Sequence, residues 1–328
     1  MTADKVIQRL VVEFFRGSLK FELTLFFFQQ EDIETLTWAN QAKFLDHTIH
    51  STVFKQYPCN KNYCTLFFKR LIQYLESKQE VHDDMYEFLC SILKSDDENK
   101  FCYRHYVLNN DLDSIITIKE TNNMVINGTT GLKTWEAAIM LSDWALSEQQ
   151  IFSNKKILEL GSGVGFTGIT ISKNCDIKSM IMTDCHQDVL KTINDNIIIN
   201  FPKAKCEEHQ DLTMYKEDKK FIGALMLDWN EIDDLLSSDL IPDIIIGADV
   251  VYDPSILHPL VNVFRIFHQK NINIDIYIAS VIRNEDTFNE FLKVLESYNF
   301  KYTKLLLNRN GFIDWDESIN RCLLKINK

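Results

Sequence analysis

The apolar positions change their spacing part of the way along the chain. From residue 1 to about 110 they recur at helical intervals, with Phe67, Phe68, Leu71, Ile72 and Leu75 forming one stripe and Tyr86, Leu89, Cys90 and Leu93 another. A polar segment lies between them, and the pattern predicts a mainly α-helical region. Aromatic side chains crowd it (Phe14, Phe15, Phe26, Phe27, Phe28, Phe67 and Phe68). A core is the expected place for them; exposed, they would form a partner-docking face. The charged run Ser95-Asp-Asp-Glu-Asn-Lys100 reads as a surface loop.

After Asp113 the runs become short. Ile115 to Ile118 and Met124 to Ile126 are β-type segments closed by Asn127-Gly128, which predicts a hairpin. Thr134 is placed to cap the next helix. Trp135 would stand in its first turn, and Ala138, Ile139, Leu141, Ala145 and Leu146 fall largely on one face.

From Lys155 onward, buried strands near 156–160, 179–183, 221–227, 243–248, 274–281, 301–307 and 322–326 alternate with helices near 166–174, 187–199, 231–237, 255–269 and 286–298. Such alternation predicts an α/β, Rossmann-like domain: a seven-stranded, mostly parallel sheet with helices on both faces. The last two strands have no helix-length pattern between them, so they are expected to pair directly and give the sheet one antiparallel member. Two domains follow from this change of pattern, a helical one over 1–110 and an α/β one over 111–328. A ligand site belongs at the carboxyl ends of the parallel strands, near the point where the strand order reverses.

Four of those strand ends carry informative side chains. The first runs Glu159-x-Gly161-Ser162-Gly163-x-Gly165, a turn where glycines let backbone approach a ligand that a Cβ would block. The second ends in Asp184, where an acceptor for ribose hydroxyls belongs. The third offers Asp228 and Trp229, an acceptor and an aromatic face suited to an adenine ring. The fourth, Ala248-Asp249-Val-Val-Tyr252, leaves an acid and a phenol beside a turn. A strand-end Asp also caps helices, and a glycine turn alone is weak evidence; together on successive strands these features favour an adenosine-containing ligand.

A dinucleotide is disfavoured. Gly163-x-Gly165-x-x-Gly168 matches its fingerprint by letter, but the fingerprint starts at the first glycine after the strand, which is Gly161, and Phe166 then stands where the third glycine should be. No Gly-Lys-Ser/Thr follows, which excludes a P-loop.

Charge and composition narrow the partners. The 328 residues are 45% hydrophobic and 25% charged, with a formal net charge of −12. That balance argues against a nucleic-acid partner, whose phosphates need clustered Lys and Arg. Leu23 to Phe28, the longest apolar run, is far short of the roughly 20 residues of a membrane span, and the first residues lack a signal peptide's cationic start and apolar core. We therefore expect a cytosolic, cytoplasmic protein with no membrane partner. Eight cysteines at irregular positions suggest free thiols. Cys59-x4-Cys64 with Cys102-x2-His105 is a loose zinc pattern, and no metal is expected.

One pattern does match in register. The runs Gly128-Thr-Thr-Gly-Leu-Lys-Thr-Trp-Glu-Ala-Ala138, Ile157 to Gly168, Asp184-Cys-His186, Leu227-Asp-Trp229, Ala248-Asp-Val-Val-Tyr252 and Arg283-Asn284 resemble the class I, seven-β-strand S-adenosylmethionine-dependent lysine methyltransferases. Within them the chain is most similar to the branch that modifies eukaryotic elongation factor 2, the FAM86 group. The resemblance covers about residues 110 to 300. It implies S-adenosyl-L-methionine as cofactor, held by Trp135, Gly161, Ser162, Gly163, Asp184, Asp228, Trp229 and Ala248; Glu159, which stands just before the glycine turn, is expected to join them from its position. It implies Asp249 and Tyr252 as the catalytic Asp-x-x-Tyr pair. It implies elongation factor 2 as the protein substrate. Because the second domain already accounts for cofactor and chemistry, the N-terminal domain is expected to carry substrate choice, and we expect a monomer. A non-catalytic adaptor keeping the fold, and a methyltransferase for another protein or a small molecule, are the alternatives.

Overall fold

The computed structural model describes residues 2–17, 34–94, 100–209, 212–232 and 240–328. Phe26 to Phe28, Ser95 to Asn99 and most of the helix expected near 231–237 lie outside the described residues. Two compact units are present, Met1–Asn122 and Asn123–Lys328.

The first unit is mainly helical, with α1 (Ala3–Arg16), α2 (Trp38–His47), α3 (Thr52–Gln56), α4 (Lys61–Glu76) and α5 (Asp83–Lys94). Its core gathers on Phe14, whose ring lies 5.1 Å from that of Phe67 and 5.4 Å from that of Phe15, both near edge-on. The five apolar residues of the α4 stripe are all buried, as the spacing predicts. On α5 the stripe is rotated. Met85, Phe88, Leu89 and Ile92 face the core, whereas Tyr86 and Leu93 are exposed and the Tyr86 hydroxyl donates to Glu76. Both sets have helical spacing, and the neighbouring helix decides which one is covered.

The unit ends in an antiparallel pair, β1 (Phe101–Val107) and β2 (Ile115–Thr121). β1 was not expected, and it replaces Met124 to Ile126 as the partner of β2. Met124 and Val125 are exposed, so pairing there would bury no apolar surface, while β1 brings Tyr106 and Val107 into the core. Ile126 instead bridges Thr129 across a tight turn. The units accordingly divide after β2, where the expectation placed that strand in the second domain.

In the second unit α6 (Glu136–Ser147) and α7 (Gln149–Phe152) lead into β3 (Lys156–Leu160), α8 (Phe166–Asn174), β4 (Ser179–Asp184) and α9 (Gln187–Asn200). The meander β5 (Lys205–His209), β6 (Leu212–Glu217) and β7 (Lys220–Met226) follows, then β8 (Ile244–Ala248), α10 (Pro254–Lys270), β9 (Asp275–Val281), α11 (Glu285–Ser297), β10 (Lys301–Leu305) and β11 (Arg321–Asn327). One sheet results, ordered β10-β11-β9-β8-β3-β4-β7-β6-β5. The seven expected strands form its β10-to-β7 part, with β11 antiparallel to its neighbours and β9, β8, β3, β4 and β7 parallel. β5 and β6 extend it by antiparallel pairing. The sequence runs outward from β3 through β4 to β7 and then returns to place β8 on the other side of β3. The strand order therefore reverses between β3 and β8, and a crevice opens beyond their carboxyl ends.

α6 departs from the one-faced expectation. Trp135, not Thr134, occupies its cap position, and the helix is buried nearly all round. Asp143 lies fully buried on it, accepting from the backbone N–H groups of Asn310, Phe312 and Ile313 and from Trp315 Nε1. That carboxylate holds the long β10–β11 connection against the helix.

Candidate active site

The turn after β3 depends on glycine for two separate reasons. Gly161 and Gly163 have φ of 59° and 53°, a left-handed backbone that residues with a Cβ rarely adopt. A Cβ on Gly161 would also stand 2.9 Å from Val250 Cγ1, and one on Gly163 3.0 Å from the Gly131 carbonyl oxygen. Ser162 binds the turn to the sheet: its Oγ donates to the Glu159 carbonyl and accepts from the Thr183 N–H at 3.0 Å. Gly165 then starts α8.

A cleft of about 670 Å³ opens above this turn, within the 300–1,000 Å³ range of small-ligand sites. Seven of the expected cofactor residues line it: Trp135, Gly161, Gly163, Asp184, Asp228, Trp229 and Ala248. So do both expected catalytic residues, Asp249 and Tyr252. Glu159 and Ser162 do not. Glu159 lies beneath the turn, 2% exposed, and its Oε2 accepts from the Gly168 N–H at 3.1 Å. Burial pushes its carboxyl up to about 8, against hydrogen bonds from Ser162, Gly168 and Thr167 that act the other way. The side chains of these two residues build the turn from beneath the cleft rather than line it.

Asp184 ends β4 with Oδ1 accepting from the His186 N–H at 3.1 Å. Burial raises its carboxyl from the ordinary range, and backbone bonds from His186, Gly163 and Cys185 oppose that rise. His186 caps α9 through Nδ1. Asp228 accepts from the backbone and side-chain nitrogens of Asn230, so both strand-end carboxylates also stabilise their own turns. Their cleft-facing positions nonetheless set two acceptors at successive strand ends, with the Trp229 ring beside Gly161.

Asp249 has φ of 55°, an uncommon conformation away from glycine that is held where surrounding bonds fix it. Its N–H donates to Ala279 O, and its Oδ1 accepts from the Val281 N–H at 3.0 Å. Oδ2 lies 3.1 Å from Arg283 Nη2. Tyr252 is exposed at the mouth with its hydroxyl bonded to Thr130; partial burial and the charges of Asp184 and Asp253 push its phenol above the ordinary value, so it stays protonated.

Two parts of the site, the loop Gly128 to Gly131 and Arg283, are not evident from strand-end spacing. The loop Gly128 to Gly131 lines the cleft and is tied to the start of α9, with Asn127 Nδ2 donating to Asp188 Oδ2 at 2.8 Å and Trp135 Nε1 donating to the Thr130 carbonyl. Its clustered Gly and Thr residues were the available signal. Arg283 belongs to the Arg283-Asn284 run, and only the fold brings it to Asp249.

A glycine cradle that any Cβ would close, two acceptors and an indole along one crevice fit S-adenosylmethionine. Fold and cleft together define a class I methyltransferase. The lysine methyltransferase family model matches residues 111–298. Over 285 residues the chain is 30% identical to the mouse protein-lysine N-methyltransferase EEF2KMT, covering 86% of this chain and 83% of that one. It is 30% identical over 288 residues to the human protein of the same name, covering 86% and 84%. Over 203 residues it is 29% identical to the Saccharomyces cerevisiae protein-lysine N-methyltransferase EFM3, covering 56% and 54%. The chain belongs to the lysine methyltransferase family and is a protein-lysine N-methyltransferase that uses S-adenosylmethionine.

In the first unit His105 engages both ring nitrogens, with Thr117 Oγ1 at 2.9 Å and the Tyr57 carbonyl at 3.0 Å, and so has none left for the zinc pattern. Among the described residues no group of three His, Cys, Asp or Glu could hold a metal. Nor is any described helix long and apolar enough to cross a membrane.

Proposed function

We propose that the chain methylates a lysine of eukaryotic elongation factor 2. One observation carries the reading: Asp184, Asp228 with Trp229, and Asp249 with Tyr252 meet on one cleft at the reversal of strand order. The names of the mouse and human relatives favour elongation factor 2 as the target.

In this reading Asp184 accepts from the ribose hydroxyls, while Asp228 and the Trp229 ring receive the adenine. Gly161 and Gly163 let the backbone close on the ligand, and Trp135 and Ala248 wall its methionine end. When bound there, S-adenosylmethionine would supply an electrophilic methyl on a sulfonium sulfur that can leave with the bonding pair. The protein's task is alignment, because an in-line displacement gains most from fixed geometry. Asp249 and the protonated Tyr252 orient the amine by hydrogen bonds. Lysine enters as an ammonium of pKa near 10.4, and its proton leaves to water before transfer. Glu159 and Ser162 hold the turn from below.

The helical N-terminal unit carries substrate choice in this proposal, since the second unit already accounts for cofactor and chemistry. The protein works as a cytosolic monomer without nucleic acid or membrane. Purified elongation factor 2 incubated with the enzyme and S-adenosylmethionine, then digested for peptide mass spectrometry, should yield a methylated lysine. An unmodified factor beside a methylated second protein would transfer the activity to that other target. Cross-links from elongation factor 2 should fall in Met1–Asn122; cross-links confined to the second unit would remove the recognition role.

A further inference from the structure

Arg283 lies just past the end of β9 and lines the cleft. Its Nη2 is 3.1 Å from Asp249 Oδ2 and 3.2 Å from Glu136 Oε2, and its Cζ stands 5.1 Å from the centroid of the Trp135 ring. Since Val281 N–H already donates to Oδ1, both oxygens of Asp249 have partners before an amine arrives. One of those partners carries a full charge.

That pairing bears on the main difficulty of the reaction. Methyl transfer needs a neutral nitrogen, and a lone carboxylate beside the amine favours its ammonium form. A guanidinium on the same carboxylate cancels part of that field, as a neighbouring cation does for activated lysines. Glu136 draws on the same guanidinium from the far side and returns some negative charge. We propose that Arg283 is a positioning residue for methyl transfer: its pairing with Asp249 offsets the carboxylate charge felt by the substrate amine and lets the proton depart, with Glu136 setting how much of that offset is felt. This rests on the lysine-methylation reading above.

Other charges face the same cleft. Asp184, Cys185 and His186 come from the end of β4, Asp228 from the end of β7, and Tyr252 with Asp253 from the turn after β8. Lys133 adds a cation 5.9 Å from the Trp135 centroid. All of these stay fixed when Arg283 or Glu136 is changed, so the two variants read their own contribution. Both side chains are close to half exposed, at 46% and 48%, and solvent screens them. The effect should therefore sit at the low end of the roughly one to three pH units that a close charge produces.

The test uses the full chain with elongation factor 2 at saturating S-adenosylmethionine and follows kcat against pH. Arg283→Gln should move the rise of kcat to higher pH by about one unit, Glu136→Gln should move it lower, and Arg283→Lys should restore most of the wild-type profile. Cofactor affinity by calorimetry should stay within about threefold throughout. Coincident profiles, shifts of the same sign in Arg283→Gln and Glu136→Gln, or a loss of cofactor affinity with an unmoved profile would each overturn the proposal. If Arg283→Gln does not fold, opposite movement in Glu136→Gln against wild type still decides it. A wild-type enzyme that leaves elongation factor 2 unmodified fails the underlying reading instead, which separates the two failures.

Discussion

Replacing Glu159 by Gln separates a role in the fold from a role in the ligand. The carboxyl lies buried beneath the glycine turn, and burial pushes it up to about 8, whereas the same group titrates near 4.5 without that environment. Because the folded value lies above the unfolded one, the folded chain holds the proton more tightly. The stability contributed by this group is complete below about pH 4.5 and is lost as the pH rises to about 8. At 1.36 kcal/mol per pH unit, the interval 8 − 4.5 corresponds to about 5 kcal/mol, and the part reached by pH 7 to about 3 kcal/mol. Gln keeps the shape and an acceptor for the Gly168 N–H, and it cannot ionise. Scanning calorimetry between about pH 5 and pH 8 should show wild-type stability falling along this curve and Glu159→Gln nearly flat. At about pH 7.5 the variant should melt higher by roughly 10 °C, at the 2–4 °C per kcal/mol typical of a domain this size. Its affinity for S-adenosylmethionine should stay within about twofold of wild type. A parallel pH dependence in both proteins would refute the buried-acid argument. A large loss of affinity with unchanged melting would put the carboxyl back on the ligand.

Other substitutions probe the remaining links. Asp143→Ala strips the acceptor from four donors of the β10–β11 connection and should cost about 3–5 kcal/mol, seen as a lower melting temperature of the second unit. Asp184→Asn should weaken S-adenosylmethionine binding by about 10- to 100-fold in calorimetry, the loss of a charge-assisted bond, with elongation factor 2 binding unchanged. In the first unit, burial lowers His105 to about 4 from 6.5, so its contribution is present above about pH 6.5 and is lost as the pH falls through about 4. That amounts to about 3 kcal/mol, and amide exchange in β1 and β2 should accelerate over that range in wild type but not in His105→Gln.

The periodic part of the chain was legible because its signals are local. Strand runs such as Ile244 to Ala248, buried on both faces, are uninterrupted apolar stretches, and the glycine turn marks the passage into α8. What escaped depends on contacts distant in sequence. β1 carries mixed residues, Phe101 through Val107, and becomes a strand because β2 is there to pair with it. β6 pairs with β7, and β5 becomes the edge strand only because β6 is there to pair with it. In the site, Asp184, Asp228, Trp229, Asp249 and Tyr252 were legible from strand ends, whereas the cleft-lining loop Gly128 to Gly131 was not. The inward turn of Glu159 was not, because only the packing of α8 through Gly168 shows which way its carboxyl points. Arg283 reaches Asp249 across 34 residues of chain, and no local spacing encodes that meeting.

The central claim is that the cleft between β3 and β8 directs the methyl of S-adenosylmethionine to a protein lysine. Its most direct measurement incubates the whole enzyme, with methyl-labelled cofactor, in a eukaryotic lysate and identifies the labelled residue after hydrolysis, with Asp249→Asn in parallel. The account predicts label recovered as methyl-lysine from elongation factor 2 with the wild type and a strong reduction with the variant. Label confined to small molecules, or equal labelling by both proteins, would contradict it.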